Sequence, residues 1–590
     1  MRDRAAAVIG LVVGLMACAD KTPPPPQKPA TAPVAALAAV AAVPAGPEIR
    51  LQAPAAARPY LIGTVAIASI DRLLANGTKL VNQAVPLPMD AAGLRDMLLA
   101  QAGLPAEVAA NIDFAGASSA AIIALDQKGK SGAVLAVPAR GAVEAQKLID
   151  ALGKKIMTRG PATLVEGNTG GRGWLYRADN VVVLSDEVEA LARGALLTLE
   201  VRRPGADDIT GMFYPEALAR ANGTDVKTAI DKFIKSMADA GKAAGVEESS
   251  FDVLAQILAL AGDAASIESG MSLDPARGLI MRHRFNARAG TRLATIAREV
   301  QPFKLDPVVA AAPGPRFAIG GSSVGTFWRD VIAKQRTRLA TDKDKGGAAA
   351  LAYMDALNAA TLTNQSFNVA LTKQAPYLAA SVVYETKDAA GAAKLMSTMA
   401  GIDTAAVTAL ARSMIGRNNA DMFEWSSKKE TVGKLKAVHF KMKIKKKSQL
   451  DTEATRKFIG QGLDGYMAVA NTRMLVSLGK DAKARLTALA SGKAPAAEPT
   501  SGPFSAALAA SAGREMFYYM DFAPVLALTA ALAEEQRVSA IARSGSGPIP
   551  VVLTAGGDGK GLVWSVDYTV PVTAFVSVGT MIAAGMGGAK

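Results

Sequence analysis

The chain has 590 residues, half of them hydrophobic and only 5% aromatic, and its formal net charge is +14. This length allows several domains, since a single domain usually has about 100 to 200 residues. A single cysteine excludes an internal disulfide, and two histidines exclude a Cys/His zinc site. We predict no cofactor, although a metal site made only of carboxylates stays open. The basic charge favours an acidic partner.

The N-terminus has the parts of a secretory signal in their usual order. Arg2 and Arg4 supply positive charge, and residues 5–15 form an uncharged apolar run that is too short to span a bilayer. The run ends in the sequence LMAC, whose cysteine is Cys18. This ending resembles the lipobox of bacterial lipoproteins, which implies cleavage before Cys18 and attachment of lipid to it. We therefore predict a signal peptide over 1–17; the alternative is a buried free cysteine.

The residues after the cysteine suggest where the protein resides. Ala19, not aspartate, follows it, which resembles the sorting signal for the outer membrane of a two-membrane bacterium. From Lys21 to about Arg58 the chain is almost wholly Ala, Pro, Thr and Val, with no helical or strand period. We predict that 18–58 is a lipidated, disordered Pro/Ala-rich tether, and that the folded part is periplasmic or surface-exposed.

Four landmarks of predicted strands and helices occur twice, in the same order. They predict two copies of one module, over 59–303 and 316–590, joined by a proline-rich linker at 304–315; the alternative is chance similarity between alanine-rich segments. The matched landmarks are 60–74 with 317–331, 121–152 with 367–399, 173–197 with 465–489, and 278–300 with 561 onward.

Each predicted copy contains pairs of short strands joined by tight turns and followed by helices. Tight turns favour antiparallel pairing. We therefore predict an α+β fold with an antiparallel sheet in each copy and helices covering one face of it. Long helical stretches at 225–244, 251–261 and 329–360 are expected to cross these sheets. The layout resembles uncharacterised duplicated exported proteins of bacteria.

The clearest indication of an enzyme is a G-x-S-x-G match at 321–325, which follows a predicted strand and precedes a predicted helix. Its serine, Ser323, would need a base, and the only histidine downstream is His439. The corresponding stretch of the first copy, 64–68, reads as an ordinary strand. We therefore predict a non-catalytic protein with no catalytic residue, and keep a serine hydrolase using Ser323 as the alternative.

Three other motifs favour structural roles. Gly129-Lys130-Ser131 lacks the earlier glycine of a phosphate-binding loop and predicts a turn. The glycine-rich stretch 167–173 precedes a strand, which favours a hairpin loop over an anion-binding loop. His283 alternates with apolar residues on a predicted strand, and its counterpart in the second copy is Val566. That position therefore needs a bulky side chain and not an imidazole.

A lysine-rich run from 428 to 447 is the main candidate binding feature. It predicts either the solvated face of an edge strand, where lysines block unwanted pairing, or a site for an anionic polymer or lipid headgroup. Its lysines are Lys428, Lys429, Lys434, Lys436, Lys441, Lys443, Lys445, Lys446 and Lys447.

The C-terminal residues 568–589 carry no charge, and we predict a docked helix there, with a membrane-spanning segment as the alternative.

Sheets covered by helices and lined with small side chains can also enclose an apolar cavity for lipid. Together these features predict a membrane-anchored envelope lipoprotein that acts as a binding module or scaffold. The expected partners are the membrane and a lipid or anionic envelope polymer. Export argues against nucleic acid, and the sequence names no protein partner.

Overall fold

A computed structural model describes residues 48–84, 90–101, 104–167, 171–202, 206–243, 258–311, 316–341, 345–372, 374–415, 422–446, 448, 451–460, 462–493, 502–532 and 547–577. The predicted signal peptide and Cys18 lie outside the described residues. By its contacts the chain divides into two units. The first consists of Met1–Ala75, Pro88–Phe213 and Arg220–Gly223, and the second of Asn76–Leu87, Tyr214–Ala219 and Thr224–Lys590.

The predicted α+β class is confirmed, since antiparallel strands and helices alternate along the chain. The strands of the first unit are β1 Leu61–Ile67, β2 Ser118–Ala124, β3 Ser131–Pro138, β4 Lys154–Arg159, β5 Ala162–Glu166, β6 Arg172–Ala178, β7 Val181–Ser185 and β8 Ile209–Phe213. Those of the second unit are β9 Ala264–Asp274, β10 Gly278–Ala287, β11 Arg316–Ser323, β12 Leu362–Leu371, β13 Leu378–Thr386, β14 Phe423–Val432, β15 Leu435–Ile444, β16 Leu463–Ala470, β17 Arg473–Gly479, β18 Met516–Asp521, β19 Pro550–Gly557 and β20 Val563–Val570.

The described helices are α1 Pro54–Ala57, α2 Ile70–Ala84, α3 Ala91–Gln101, α4 Ala106–Ala109, α5 Ala142–Leu152, α6 Val188–Val201, α7 Pro215–Ala221, α8 Val226–Ala243, α9 Arg292–Arg298, α10 Pro307–Ala310, α11 Thr326–Thr341, α12 Gly347–Ala359, α13 Ala389–Met399, α14 Thr404–Ile415, α15 Glu453–Ile459, α16 Ala482–Ser491, α17 Pro503–Ala510 and α18 Ala523–Leu532. Residues 258–262 and 572–577 are also helical.

Some helices begin at a capping side chain that accepts a hydrogen bond from a free amide of the first turn. Asp388 accepts one from the Gly391 amide at 2.9 Å, and Thr452 accepts one from the Thr455 amide at 3.1 Å.

The strands pair in the same order in two parts of the chain. In the first unit the order is β4-β5-β6-β7-β3-β2-β1-β8. In the second unit it is β14-β15-β16-β17-β13-β12-β11-β18, and β19, β20, β10 and β9 follow. Adding ten to each label of the first series gives the first eight strands of the second.

Strands β10 and β20 pair with each other, and their register bears on the predicted repeat. They run antiparallel, and His283 lies directly opposite Val566, the residue predicted as its counterpart. When two equivalent strands pair about a local twofold axis, one equivalent pair of residues must face each other across it. The observed register is compatible with such an arrangement. The two-copy interpretation stays a prediction, which this register and the common strand order support.

Helices cover both faces of the sheets, so the prediction of one covered face is wrong. In a strand, consecutive side chains point to opposite faces. Val181, Val182 and Val183 of β7 are all buried, which requires cover on both sides. In the second unit, Leu475 belongs to a core that contains residues of α16, whereas its neighbour Met474 belongs to a core that contains residues of α13. Short, alternating strands do not tell whether the second face will be covered.

Two segments that the sequence predicted to be linkers contain packed residues. Within the predicted tether, Ile49 is buried and the Gln52 amide donates to the Ala192 carbonyl at 2.8 Å. Within the predicted linker at 304–315, Val308 and Val309 are buried in a core of the second unit, while 312–315 lie outside the described residues. Proline and alanine also suit helix first turns and small-residue cores, so composition alone overestimated the length of both linkers.

The C-terminal segment is helical at 572–577, directly after β20, and 578–589 lie outside the described residues. No helix within the described part of the chain is both long and apolar enough to cross a membrane.

Candidate functional site: the lysine hairpin

Strands β14 and β15 form a hairpin that carries most of the predicted lysine-rich run, and we call residues 423–446 the lysine hairpin. Gly433 in its turn has a φ of +60°, a conformation that favours glycine. Strand β15 pairs with β14 on one side and with β16 on the other. Within the predicted run 428–447, β15 is therefore an inner strand, whereas β14, which carries Lys428 and Lys429, is the outermost strand among those described.

One face of the lysine hairpin packs on helices. Trp425 stacks on Phe440 with ring centroids 4.8 Å apart, and both pack in a core with residues of α13 and α14. Thr404, the first residue of α14, bonds to the backbone of Trp425 twice. Its hydroxyl donates to the carbonyl at 3.0 Å and accepts from the amide at 2.8 Å. This face holds the hairpin rigidly on its helices.

The opposite face carries a cluster of charged groups around His439. The imidazole lies between two carboxylates, with Nε2 3.0 Å from Asp464 Oδ1 and Nδ1 3.4 Å from Glu430 Oε2. Its ring also stacks on Tyr466, with centroids 4.6 Å apart. Lys483, from α16, donates to Glu430 Oε1 at 2.9 Å. We call these residues, with Lys428 and Lys441, the central cluster.

The carboxylates of the central cluster offset its lysines. Asp464 Oδ2 lies 3.7 Å from Lys441 Nζ, and Glu430 Oε2 lies 3.8 Å from Lys428 Nζ. The hydrogen bond from Lys483 lowers the pKa of Glu430, and the same contact raises the pKa of Lys483. These side chains are partly exposed, so each ion pair contributes little to stability. Their main effect is on the local surface potential, because the two carboxylates offset the positive charge of two of the three lysines.

The remaining lysines lie at the two ends of the hairpin. At the turn end, which we call the tip, Lys429, Lys434 and Lys436 are exposed and make no ion pair with a described residue. At the other end, Lys443 and Lys446 are exposed, and Lys445 is half-buried. Lys447 lies outside the described residues. The eight described lysines of the run therefore do not form one uninterrupted basic surface.

Asp464 and Lys483 are the residues that sequence reasoning missed. Asp464 joins the cluster because β15 pairs with β16, which places it opposite Lys441. Lys483 joins because the first turn of α16 lies near Glu430. Neither is close to the hairpin in sequence, so a count of charges along the run could not include them. The predicted landmark at 465–489, which begins one residue after Asp464 and includes Lys483, was the available signal.

The geometry around Ser323 gives no support to a nucleophile. Ser323 is buried at the end of β11, where its amide donates to the Glu515 carbonyl at 2.8 Å. Gly321 of the motif is explained by packing, since a Cβ there would lie 2.8 Å from the Phe303 ring. His439 lies on β15, with β12, β13, β17 and β16 between it and β11. Five strand spacings correspond to about 24 Å.

The other motifs noted in the sequence lie in turns and strands of the fold. Gly129 and Lys130 form the turn between β2 and β3, where Asp126 Oδ1 accepts from the Lys130 amide at 2.9 Å. His283 lies on an inner strand with Nδ1 3.0 Å from Ser269 Oγ, and burial lowers its pKa. Residues 168–170 of the glycine-rich stretch lie outside the described residues.

Within the described ranges, no three His, Cys, Asp or Glu side chains are grouped as a metal site would require. Comparison with protein-family models, with curated proteins and with solved structures finds no match to this chain. Inference about function therefore has to come from the residues themselves.

Proposed function

We propose that the chain is a lipid-anchored, non-catalytic binding protein of the outer membrane, and that the tip of its lysine hairpin contacts an anionic lipid or polymer of the envelope. The observation that carries the proposal is the contrast within the hairpin. Its central lysines are offset by carboxylates, whereas Lys429, Lys434 and Lys436 at the tip are exposed and make no ion pair with a described residue. A tip with unopposed positive charge suits contact with a negative surface.

The magnitude of such a contact indicates that it needs the anchor. A lysine near an anionic surface contributes about 1 kcal/mol, so three contribute about 3 kcal/mol, or roughly 100-fold in an equilibrium constant. That is weak for a protein free in solution. A lipid on Cys18 would confine the folded part near the membrane and raise the effective concentration of its target. The hairpin would then orient the protein, while the lipid retains it.

We further propose that the chain contains two copies of one module. The common strand order and the His283–Val566 register support this. If it holds, the position of the lysine hairpin in the first copy is occupied by β4 and β5, which carry fewer lysines. Lysines are therefore not a requirement of the fold.

The anchor is tested by Cys18→Ser in the native bacterium. We expect an unprocessed precursor that is not lipidated, because the sulfur that accepts the lipid is gone. Immunoblotting of membrane fractions and metabolic labelling with palmitate check this. Normal processing and membrane retention of the variant would contradict the anchor.

The binding activity is tested on the mature chain without lipid, beginning at residue 19. We expect it to co-sediment with vesicles of phosphatidylglycerol but not of phosphatidylcholine, and to dissociate as salt rises, because exposed charges are screened. Binding that is indifferent to lipid charge or to salt would contradict a role for the tip.

A further inference from the structure

We propose that a second site, in a cleft of the second unit, binds a small oxyanion carried on an apolar body, such as an alkyl phosphate or a carboxylate. The cleft has a volume of about 490 Å³, and we call it the arginine cleft after Arg288 and Arg292 in its wall. Sites for small ligands commonly have volumes of about 300 to 1,000 Å³. The proposal does not depend on the lysine hairpin, which lies on other strands.

The local fold brings the two arginines together. Arg288 directly follows β10, and Arg292 is the first residue of α9. The facing wall comes from α8 and the helical residues 258–262. These approach closely at Gly262, where a Cβ would lie 2.4 Å from the Ile230 side chain. The cleft is therefore built from packed elements, and the arginines have fixed attachment points.

Both guanidinium groups keep buried N–H groups that have no hydrogen-bond acceptor. Arg288 uses Nη2 to donate to the Gly262 carbonyl at 2.5 Å, but its Nε is buried and unpartnered. Arg292 has a buried Nη2 atom without a hydrogen-bond acceptor. Asp330 Oδ2 lies 2.6 Å from Arg292 Nε, so this nitrogen is already paired, and Nη2 is the Arg292 donor that remains for a ligand. Buried donors without acceptors are unfavourable, and an oxyanion would satisfy them.

The charged groups at the cleft are balanced in number, and most of its carboxylates already have partners. Its cations are Lys227, Lys334, Arg288 and Arg292, and its carboxylates are Asp231, Asp263 and Asp330. Asp263 accepts a hydrogen bond from the Leu293 amide at 3.3 Å, at the start of α9. Asp330 is paired with Arg292. Glu216 borders the cleft and lies 3.9 Å from Arg288 Nη1, so four carboxylates face four cations, and Glu216, Asp263 and Asp330 already have partners.

The rest of the wall is apolar and suggests what carries the oxyanion. Val226, Ile230 and Leu260 line the cleft beside the arginines. A guanidinium binds carboxylate and phosphate oxygens in pairs, while an apolar wall binds a hydrocarbon or aromatic body. The helical segment at 572–577, which corresponds to α9 in the proposed second copy, has no charged residue. The fold can therefore be built without these arginines.

The test is calorimetric titration of the full chain in non-ionic detergent with butyl phosphate, butyrate and inorganic phosphate. We expect saturable one-to-one binding of butyl phosphate or butyrate, and weaker binding of inorganic phosphate because it has no apolar body. Arg292→Gln should weaken binding by about 10- to 100-fold, the range for loss of charged hydrogen bonds. Ala259→Phe keeps every charge but places a large ring in the cleft. This variant should abolish binding.

Arg277→Gln is the matched control, since it removes an exposed arginine of the same unit, between β9 and β10, and should leave binding unchanged. Circular dichroism checks that each variant is folded. No saturable binding of either butyl compound by the wild type would overturn the site. Equal affinity in folded Arg292→Gln, or in folded Ala259→Phe, would overturn it as well.

Discussion

The hairpin of β4 and β5 and the lysine hairpin hold the same place in their strand orders, each as the outermost pair. They differ in length and charge. Strands β4 and β5 have 6 and 5 residues, whereas β14 and β15 have 10 each. The shorter hairpin has two lysines, Lys154 and Lys155, within its strands. If the two units are copies of one module, as we propose, the module needs a hairpin at this position but not a long one rich in lysine.

The turns of the two hairpins differ in their surroundings. Gly160 and Gly433 have nearly equal φ angles of +56° and +60°. A Cβ at Gly160 would lie 2.7 Å from the Ile49 carbonyl, so this turn is covered by the segment before β1. A Cβ at Gly433 would meet no described atom within 4 Å. One turn is packed and the other is open, so in our proposal the tip of the lysine hairpin, and not the turn of the shorter hairpin, contacts the partner.

The largest expected effect is on the packed face of the lysine hairpin. Phe440→Ala should lower the free energy of unfolding by about 3 to 5 kcal/mol, because it removes a buried ring that stacks on Trp425. Lys443→Ala, on the other face of the same strand, should change it by less than about 0.5 kcal/mol. Urea unfolding followed by tryptophan fluorescence measures both. Similar losses in the two variants would show that the two faces are not distinct.

The next effect compares the two hairpins directly. Lys434→Gln with Lys436→Gln should weaken binding to phosphatidylglycerol vesicles by about 30-fold, because two exposed lysines contribute about 2 kcal/mol. Lys154→Gln with Lys155→Gln removes the same charge from the shorter hairpin and should leave binding unchanged. Co-sedimentation at fixed salt distinguishes them. Equal losses would mean that net charge, and not the tip, decides binding.

The smallest expected effect is on the pH dependence of the stability that the central cluster contributes. The hydrogen bond from Lys483 keeps the pKa of Glu430 below its ordinary value of 4.5. Glu430 therefore contributes stability above pH 4.5, and this contribution is lost as the pH falls through its lowered pKa. Glu430→Gln should lower the melting temperature slightly at pH 6, and the difference from the wild type should shrink as the pH falls below 4.5. Calorimetric scans across this range check it, and a constant difference between the two proteins would contradict it.

The sequence by itself determined the α+β class, because short alternating strands, tight turns and amphipathic helices depend only on neighbouring residues. It also placed Gly129 in a turn and Ser323 on a strand. These inferences use periodicity and order along the chain, which a single sequence records directly.

Only the tertiary structure decided which charges oppose each other and which surfaces are covered. Asp464 and Lys483 reach Glu430, His439 and the central lysines through strand pairing and helix docking, not through proximity in sequence. The same reason explains the packed residues Ile49 and Val308 in predicted linkers, and the arginines that meet in a cleft. Burial and charge pairing depend on what lies opposite a residue, and contacts between distant segments fix that.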